Sequence, residues 1–338
     1  MTTFSKPLIS FCIPTRNRSI FLLEMLENLV AQAGFDCEYV IVDGGSQDAT
    51  ADIVDKFKRD GYRIIYFRRE QGVGVDRDIL KAVELASGEY CWLMSDDDLL
   101  EDGSYTYVSD VLRSNSGIAG ASLNIVAYDP TISYRIQTVP SISCVGGVDM
   151  VFDDRDQCFS LLGLHMGFIS AQVVCRKIWL AAVAVRDTTP FCNSWIIVYV
   201  IGEMLNINNK WLYLDRECIA YRSGNDSFAA RLGVYGRQLI THENYAFTLK
   251  ELFGDNSQTY KKIFHGLIKY RMGRTLAMIK ADGATFKLQF YLAKLYISRY
   301  YNYKVFWIKV MPLFLIPNIV FRLIRWAYFL KCSLVNRI

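Results

Sequence analysis

From Gly283 to the carboxyl terminus the chain has no aspartate or glutamate. Those 56 residues carry nine cations (Lys287, Lys294, Arg299, Lys304, Lys309, Arg322, Arg325, Lys331 and Arg337), and a quarter of them are aromatic. The first 282 residues hold 29 basic and 34 acidic side chains, a net of −5, so the overall +4 describes neither part. The division points to an acidic catalytic or binding body with a basic appendage. Paired cysteines are lacking too. The nine are scattered singly with no C-x-x-C, which excludes zinc knuckles and a disulfide framework and suits reduced, mostly buried thiols in a cytosolic protein. No run of about twenty apolar residues occurs, as a spanning helix requires. The nearest, residues 305–324, is interrupted by Lys309, Pro312, Pro317 and Arg322. Met1 to Pro7 is short and polar, and the apolar run behind it stops at Pro14-Thr15-Arg16, so no export signal is expected. Internal repeats and low-complexity linkers are missing as well, and a 52% apolar composition rules out disorder.

What is present first is an alternation. Leu8 to Ile13, Tyr39 to Val42, Arg63 to Phe67 and Tyr90 to Met94 are short apolar or β-branched runs. Between them lie segments with helical spacing: Phe21 to Ala31, Asp48 to about Asp60, and Arg77 to Ala86. This βαβαβαβ order predicts a doubly wound α/β fold, a mostly parallel sheet with helices on both faces. Ligands of such sheets sit at the carboxyl ends of the strands. Beyond Gly117 the pattern loosens, with strands expected at 120–126, 167–175 and 211–214 and a helix near 195–205. Residues 229–280 read as helical.

The strand ends carry the chemistry. Ser95-Asp96-Asp97-Asp98 follows the fourth strand. Adjacent carboxylates repel unless a cation neutralises them, and hard oxygen ligands suit Mg²⁺ or Mn²⁺ bridging a diphosphate. The alternative is an acidic loop with Asp98 as N-cap of a following helix. Pro14-Thr15-Arg16-Asn17-Arg18 follows the first strand, where free backbone N–H groups, Arg16 and Arg18 could meet phosphate; the alternative, favoured when this segment is taken alone, is an ordinary strand-to-helix turn. Asp43 ends the second strand, placed to accept from a ribose or base, beside glycines that let a ligand approach the backbone; Asp48 reads as a helix cap. Gln71-Gly-Val-Gly-Val-Asp76 lacks the third glycine of a dinucleotide fingerprint, Arg77 standing there. Arg222 is a candidate partner for a departing diphosphate, the alternative being a surface loop.

Taken together, PLISFCIPTRNR, YVIVDGGSQDAT and GVDRDILKAVELASGEYCWLMSDDD resemble the family 2 glycosyltransferases in order and spacing, closely over about residues 5–115 and loosely to about 230. The resemblance implies a GT-A-type fold and sugar transfer from a nucleotide-sugar donor, usually with a divalent metal. It implies that Pro14, Thr15 and Asn17 shape the nucleotide pocket, that Asp43 contacts the nucleoside, and that Arg77 and Asp78 take the place of the family's Arg-Asn pair. Two departures stand out. The usual Asp-x-Asp-Asp reads Ser95-Asp96-Asp97-Asp98, so either Asp96 with Asp98 or Asp97 with its neighbours would hold the metal. The acidic pair expected about a hundred residues later, whose carboxylate deprotonates the acceptor hydroxyl, is missing from Thr189 to Ile197. Asp187 is the first choice to replace it, with Glu203 flanking the other side. His165 lies where the family builds its acceptor side and could bind a sugar hydroxyl, or be structural. Finer resemblance, through VDRD and EYCWLMSDDD, points toward bacterial O-antigen transferases of the abequosyltransferase kind.

These readings divide the chain into a transferase domain over 1–228 (a nucleotide-sugar half to about 115, an acceptor half after it), a helical segment over 229–282, and a basic aromatic tail over 283–338. Lys280, Lys287 and Lys294 recur every seven residues, near one helical face. Aromatics interleave with the cations, which suits an interfacial amphipathic tail on the anionic lipid of the inner membrane. The alternatives are a subdomain packed on its own catalytic domain or a dimer interface in a homo-oligomer. The acidic body argues against nucleic acid as a partner. The expected enzyme is peripheral on the cytoplasmic face, with a lipid-linked glycan as acceptor. A nucleotidyltransferase and a degenerate, non-catalytic scaffold are the rival readings.

Overall fold

The computed structural model describes residues 6–136 and 147–335, the side chains of 328–335 excepted. Arg337 therefore lies outside the described residues, as do the side chains of Tyr328 and Lys331. The chain divides into two compact units, 1–225 and 226–338.

The first unit opens as the alternation requires: β1 (Ile9–Thr15), α1 (Ser19–Ala33), β2 (Glu38–Asp43), α2 (Thr50–Arg59), β3 (Ile64–Arg68), α3 (Val75–Leu85) and β4 (Tyr90–Leu93). β1, β2 and β4 are buried along their whole length, as parallel strands covered on both faces must be. Side-chain alternation splits them between two cores. Ile9, Phe11, Ile13, Tyr39, Ile41 and Trp92 join Leu22, Met25, Leu26 and Leu29 of α1 in one. On the other face α3 lies against β1 and β2 and buries Ile79, Ala82 and Val83. The strands pair in parallel in the order β3-β2-β1-β4. In that register Thr15 stands beside Asp43, and Asp43 beside Arg68.

The second half is mixed. β5 (Leu99–Leu100), α4 (Ser104–Ser114), β6 (Gly120–Tyr128), β7 (Met150–Phe152), α5 (Arg155–Leu162), β8 (Gln172–Cys175), α6 (Arg176–Val183), α7 (Ile196–Ile207) and β9 (Trp211–Arg222) follow. β8 joins antiparallel to β4, β6 antiparallel to β8, β9 parallel to β6, and β5 antiparallel to β9. The strand expected from 167 begins only at Gln172, after two 3₁₀ turns over 165–171. The element after Asp98 is the short strand β5, so Asp98 caps no helix; α4 begins at Ser104, behind Gly103 in the left-handed region at φ 71°. Asp48 is not the cap of α2, whose N-cap is Ala49; from one residue before it the carboxylate accepts from the N–H of Thr50 in α2 and from that of Ser19 in α1.

The second unit is helical: α8 (Ser227–Leu239), α9 (Tyr245–Phe253), α10 (Gln258–Leu267), α11 (Gly273–Ala281), α12 (Phe286–Tyr300), α13 (Lys304–Lys309), α14 (Met311–Leu315) and α15 (Asn318–Val335). Single π-turns at 240–244 and 268–272 carry α8 into α9 and α10 into α11. The lysine heptad is broken here. Lys280 belongs to α11, Gly283 at φ 90° ends that segment, and Lys287 and Lys294 lie on α12. Lys280 is buried, and its Nζ donates to the carbonyls of Leu313 and Phe314 at the carboxyl end of α14, where a cation offsets the helix dipole.

Candidate active site

β1, β2 and β4 deliver their polar ends to one edge of the sheet. The Thr15 hydroxyl donates to Asp96 Oδ2 at 2.7 Å, tying the end of β1 to the acidic run. Arg18 bridges Asp96 and Asp97, with Nε 2.9 Å from Asp96 Oδ1. Asp97 also accepts from Asn225 Nδ2 at 2.7 Å, and Asp98 accepts from the Ser170 hydroxyl at 2.6 Å and the Arg222 backbone N–H at 3.2 Å. All three carboxylates are buried. Burial pushes Asp96 up to about 7, Arg18 and Thr15 opposing the rise and Asp97 adding to it. Asp98 also rises to about 7, first by burial and then through Asp97.

The loops after β1 and β2 are locked together. Asn17, at φ 54°, donates its N–H to the Ser46 hydroxyl and accepts from the Gln47 N–H. A non-glycine residue in this region is held there by its surroundings. Asp43 is fully buried and accepts from the Ser46 N–H and the Tyr66 hydroxyl, both at 2.7 Å. Pro14 lies in β1, inside the buried strand. Arg16 runs past Gly44 and lays its guanidinium on Gly72, where a Cβ would fall 2.4 Å from a guanidinium nitrogen. Asp78 pairs with Arg69 Nε at 2.5 Å, and Arg77 beside it is exposed.

Arg222 is buried and fully engaged. Its Nε donates to the Asp97 carbonyl at 3.0 Å, and its terminal nitrogens reach the Pro130 carbonyl at 2.8 Å and Glu24 at 2.6 Å. Phe21 lies between it and Arg18, each guanidinium about 5 Å from the ring centroid. The β5–β9 pairing brings it there, so the residue read as a diphosphate partner supports the acidic run from behind. His165 is buried, its Nε2 donating to the Leu123 carbonyl at 2.8 Å and its ring edge-on to Tyr213. Glu203 sits within α7, accepts from Asn206, and interacts with Tyr199 and Arg155. These partners are not the ones that hold Asp96–Asp98. Asp187 is exposed, and accepting from the Thr189 N–H at 2.9 Å holds its carboxyl below the usual carboxylate value. The exposed segment around it borders α3: the Ser194 N–H donates to Asp76 Oδ2 at 2.6 Å. Sequence reasoning passed over Asp76, Ser170, Asn225 and the tethering role of Arg18, because contacts so distant along the chain leave no local pattern.

Carboxylates buried at the strand ends of a doubly wound half, tied to the mixed second half through Ser170, Arg222 and Asn225, mark a GT-A-type fold. Residues 10–170 match Glycosyl transferase family 2. The chain is 29% identical over 291 residues to the abequosyltransferase RfbV of Salmonella typhimurium, covering 80% of this chain and 84% of that one. Two solved structures share its fold. TarS 1–349 of S. aureus aligns with a TM-score of 0.59 at 12% identity, over 85% of this chain and 78% of that one. The mannosyltransferase PcManGT of Pyrobaculum calidifontis, solved with GDP-Man and Mn²⁺, aligns with a TM-score of 0.54 at 15% identity, over 94% of this chain and 87% of its own. The chain is a glycosyltransferase that resembles the O-antigen transferases.

Proposed function

We propose that the enzyme moves a sugar from a nucleotide-sugar donor to a hydroxyl of a lipid-linked glycan in surface-polysaccharide synthesis, assisted by Mg²⁺ or Mn²⁺. The observation that carries this reading is the buried run Asp96–Asp98, tethered to β1 through Thr15 and to the start of α1 through Arg18. The residues fit a divalent ion. Their oxygens are hard ligands, and burial disfavours the charge of Asp96 and Asp98 unless a cation is near. Among the described residues no three His, Cys, Asp or Glu side chains form a cage. That suits an ion held by one or two carboxylates and completed by substrate phosphates. Bound between Asp96, Asp97 or Asp98 and the donor, such an ion would neutralise charge on the departing diphosphate.

The chain's own groups do the rest. Asn17, Ser46 and Gln47 hold the rim of the nucleotide pocket, and Asp43 keeps its shape through Ser46 and Tyr66. Arg16 and Arg77 offer positive charge to the donor from the same rim. The second unit supports a lipid-linked acceptor. No single helix among the described residues is long and apolar enough to cross a membrane, although Lys304–Leu315 and Asn318–Ala327, bent by 96°, are so in combination. Trp307, Ile308, Leu315, Leu323, Ile324 and Trp326 are exposed on these helices, beside Lys309, Arg322 and Arg325. Aromatic and aliphatic groups mixed with cations, and no acid, fit the headgroup layer of anionic lipid. The proposal thus puts the enzyme peripherally on the cytoplasmic face of the inner membrane. A thermal-shift screen with UDP, GDP, CDP and dTDP, with and without Mn²⁺, tests the donor side, since a ligand of the native state raises its melting point. One nucleotide should stabilise the protein, and more so with Mn²⁺. No shift with any of the four would remove the reading.

A further inference from the structure

The family's acidic pair is missing between Thr189 and Ile197, yet a carboxylate stands against that segment. Asp76, in the first turn of α3, accepts the Ser194 N–H at 2.6 Å through Oδ2. It is 8% exposed, and among the described residues nothing donates to its Oδ1. Ser194 holds φ 81°, a conformation that disfavours any side chain but glycine and persists only where surrounding contacts impose it. The next residue, Trp195, lies on Gly167, where a Cβ would meet its ring at 2.4 Å. Three residues on, Ser170 donates to Asp98. On the other side, Asp78 of the same helix turn lies 3.3 Å from a Cβ built on Gly44, beside Arg16. Asp76 is thus linked to the acidic run through Ser194, Trp195, Gly167 and Ser170, and its helix turn carries Asp78 at the nucleotide loops.

We infer that Asp76 is the general base of the transfer, supplying from α3 the carboxylate that the 189–197 segment lacks. The inference rests on the proposed glycosyl transfer. In the step, Asp76 Oδ1 takes the proton of the acceptor hydroxyl while that oxygen forms the bond to the anomeric carbon. The bond from this carbon to the phosphate oxygen breaks, and its electron pair leaves on the nucleoside diphosphate. Burial raises the Asp76 carboxyl to about 6, the Ser194 N–H opposing the rise; a base of that strength works better near neutrality than an ordinary carboxylate. The charged and titratable groups around it are Arg77 and Asp78 on its own helix, and Cys192 and Asp187 on the facing segment.

The test uses the full chain with UDP-, GDP-, CDP- and dTDP-linked hexoses and deoxyhexoses as donors and water or octyl hexosides as acceptors, following release of nucleoside diphosphate. Wild-type kcat should fall on the acid side with a limb near pH 6. Asp76→Asn should lower kcat about 10²–10⁴-fold and abolish the limb, while the nucleotide thermal shift and donor KM persist. Should Asp76→Asn fail to fold, Asp76→Glu decides: a displaced limb and lowered kcat support the inference, and wild-type kcat overturns it. Loss of the limb in Asp187→Asn but not in Asp76→Asn gives the role to Asp187 and overturns it as well. No turnover by the wild type with any donor sinks the proposed function itself; turnover equal in wild type and Asp76→Asn sinks only this inference.

Discussion

Replacing Arg222 by alanine separates two roles for that residue. As a diphosphate ligand it would be dispensable for folding and needed for donor. Its observed contacts predict the reverse order of effects. The substitution removes charge-assisted bonds to the buried carbonyl of Asp97 and the part-buried one of Pro130, each worth about 1.5–3 kcal/mol. The Glu24 partner is 42% exposed and adds little, and the backbone N–H to Asp98 survives. A loss of about 3–5 kcal/mol follows, in the range for breaking a buried charged contact. For a unit of this size that lowers Tm by roughly 10 °C. Differential scanning fluorimetry reads the shift, and turnover of the folded fraction reads the chemistry. Arg222→Lys should restore little, since an ammonium lacks the planar fork that reaches three acceptors at once. An unchanged Tm with lost nucleotide binding would refute the reasoning and return Arg222 to the diphosphate.

Other outcomes follow from the second unit. His242 is buried; its Nε2–H donates to Gln238 Oε1 at 3.2 Å and its Nδ1 accepts from the Tyr300 hydroxyl at 2.7 Å, so the ring is neutral and burial lowers its pKa to about 3. The unfolded chain takes up the proton near 6.5 and the folded one does not, so stability present above pH 6.5 falls by about 1.4 kcal/mol per unit as pH drops toward 3. Comparison with His242→Gln in urea melts at pH 7 and pH 5 should show a steeper loss for wild type, and equal slopes would contradict it. Ile308→Glu with Leu323→Glu should lower sedimentation with phosphatidylglycerol vesicles and leave nucleotide thermal shifts alone; undiminished sedimentation would sink the lipid-facing assignment. Lys280→Met should loosen 311–327, read as faster amide exchange there, by removing the cation that holds the Leu313 and Phe314 carbonyls.

The parallel half was legible because buried strands and amphipathic helices write period and composition into short windows. Leu8 to Ile13, Tyr39 to Val42 and Tyr90 to Met94 could hardly be other than strands, and polar clusters behind them marked the site. β5 and β7, of two and three residues, are too short for periodicity and exist through pairing with β9. The acidic run was visible, but not which atoms it meets: Arg18 is about eighty residues away, and Asn225 well over a hundred. Arg222 looked like a ligand because buried and exposed arginines read alike in sequence. The lysine heptad was real as spacing but crossed a glycine at φ 90°, which no count of sevens detects.

The central claim is that Asp96–Asp98 serve transfer of a sugar from a nucleotide donor. The most direct measurement is product analysis of wild type and Asp97→Ala incubated with nucleotide sugars and Mn²⁺. The account predicts release of nucleoside diphosphate with sugar transferred by the wild type, and none by an Asp97→Ala protein that melts as a folded chain. Equal turnover by both proteins would contradict it, as would a wild-type protein that releases pyrophosphate.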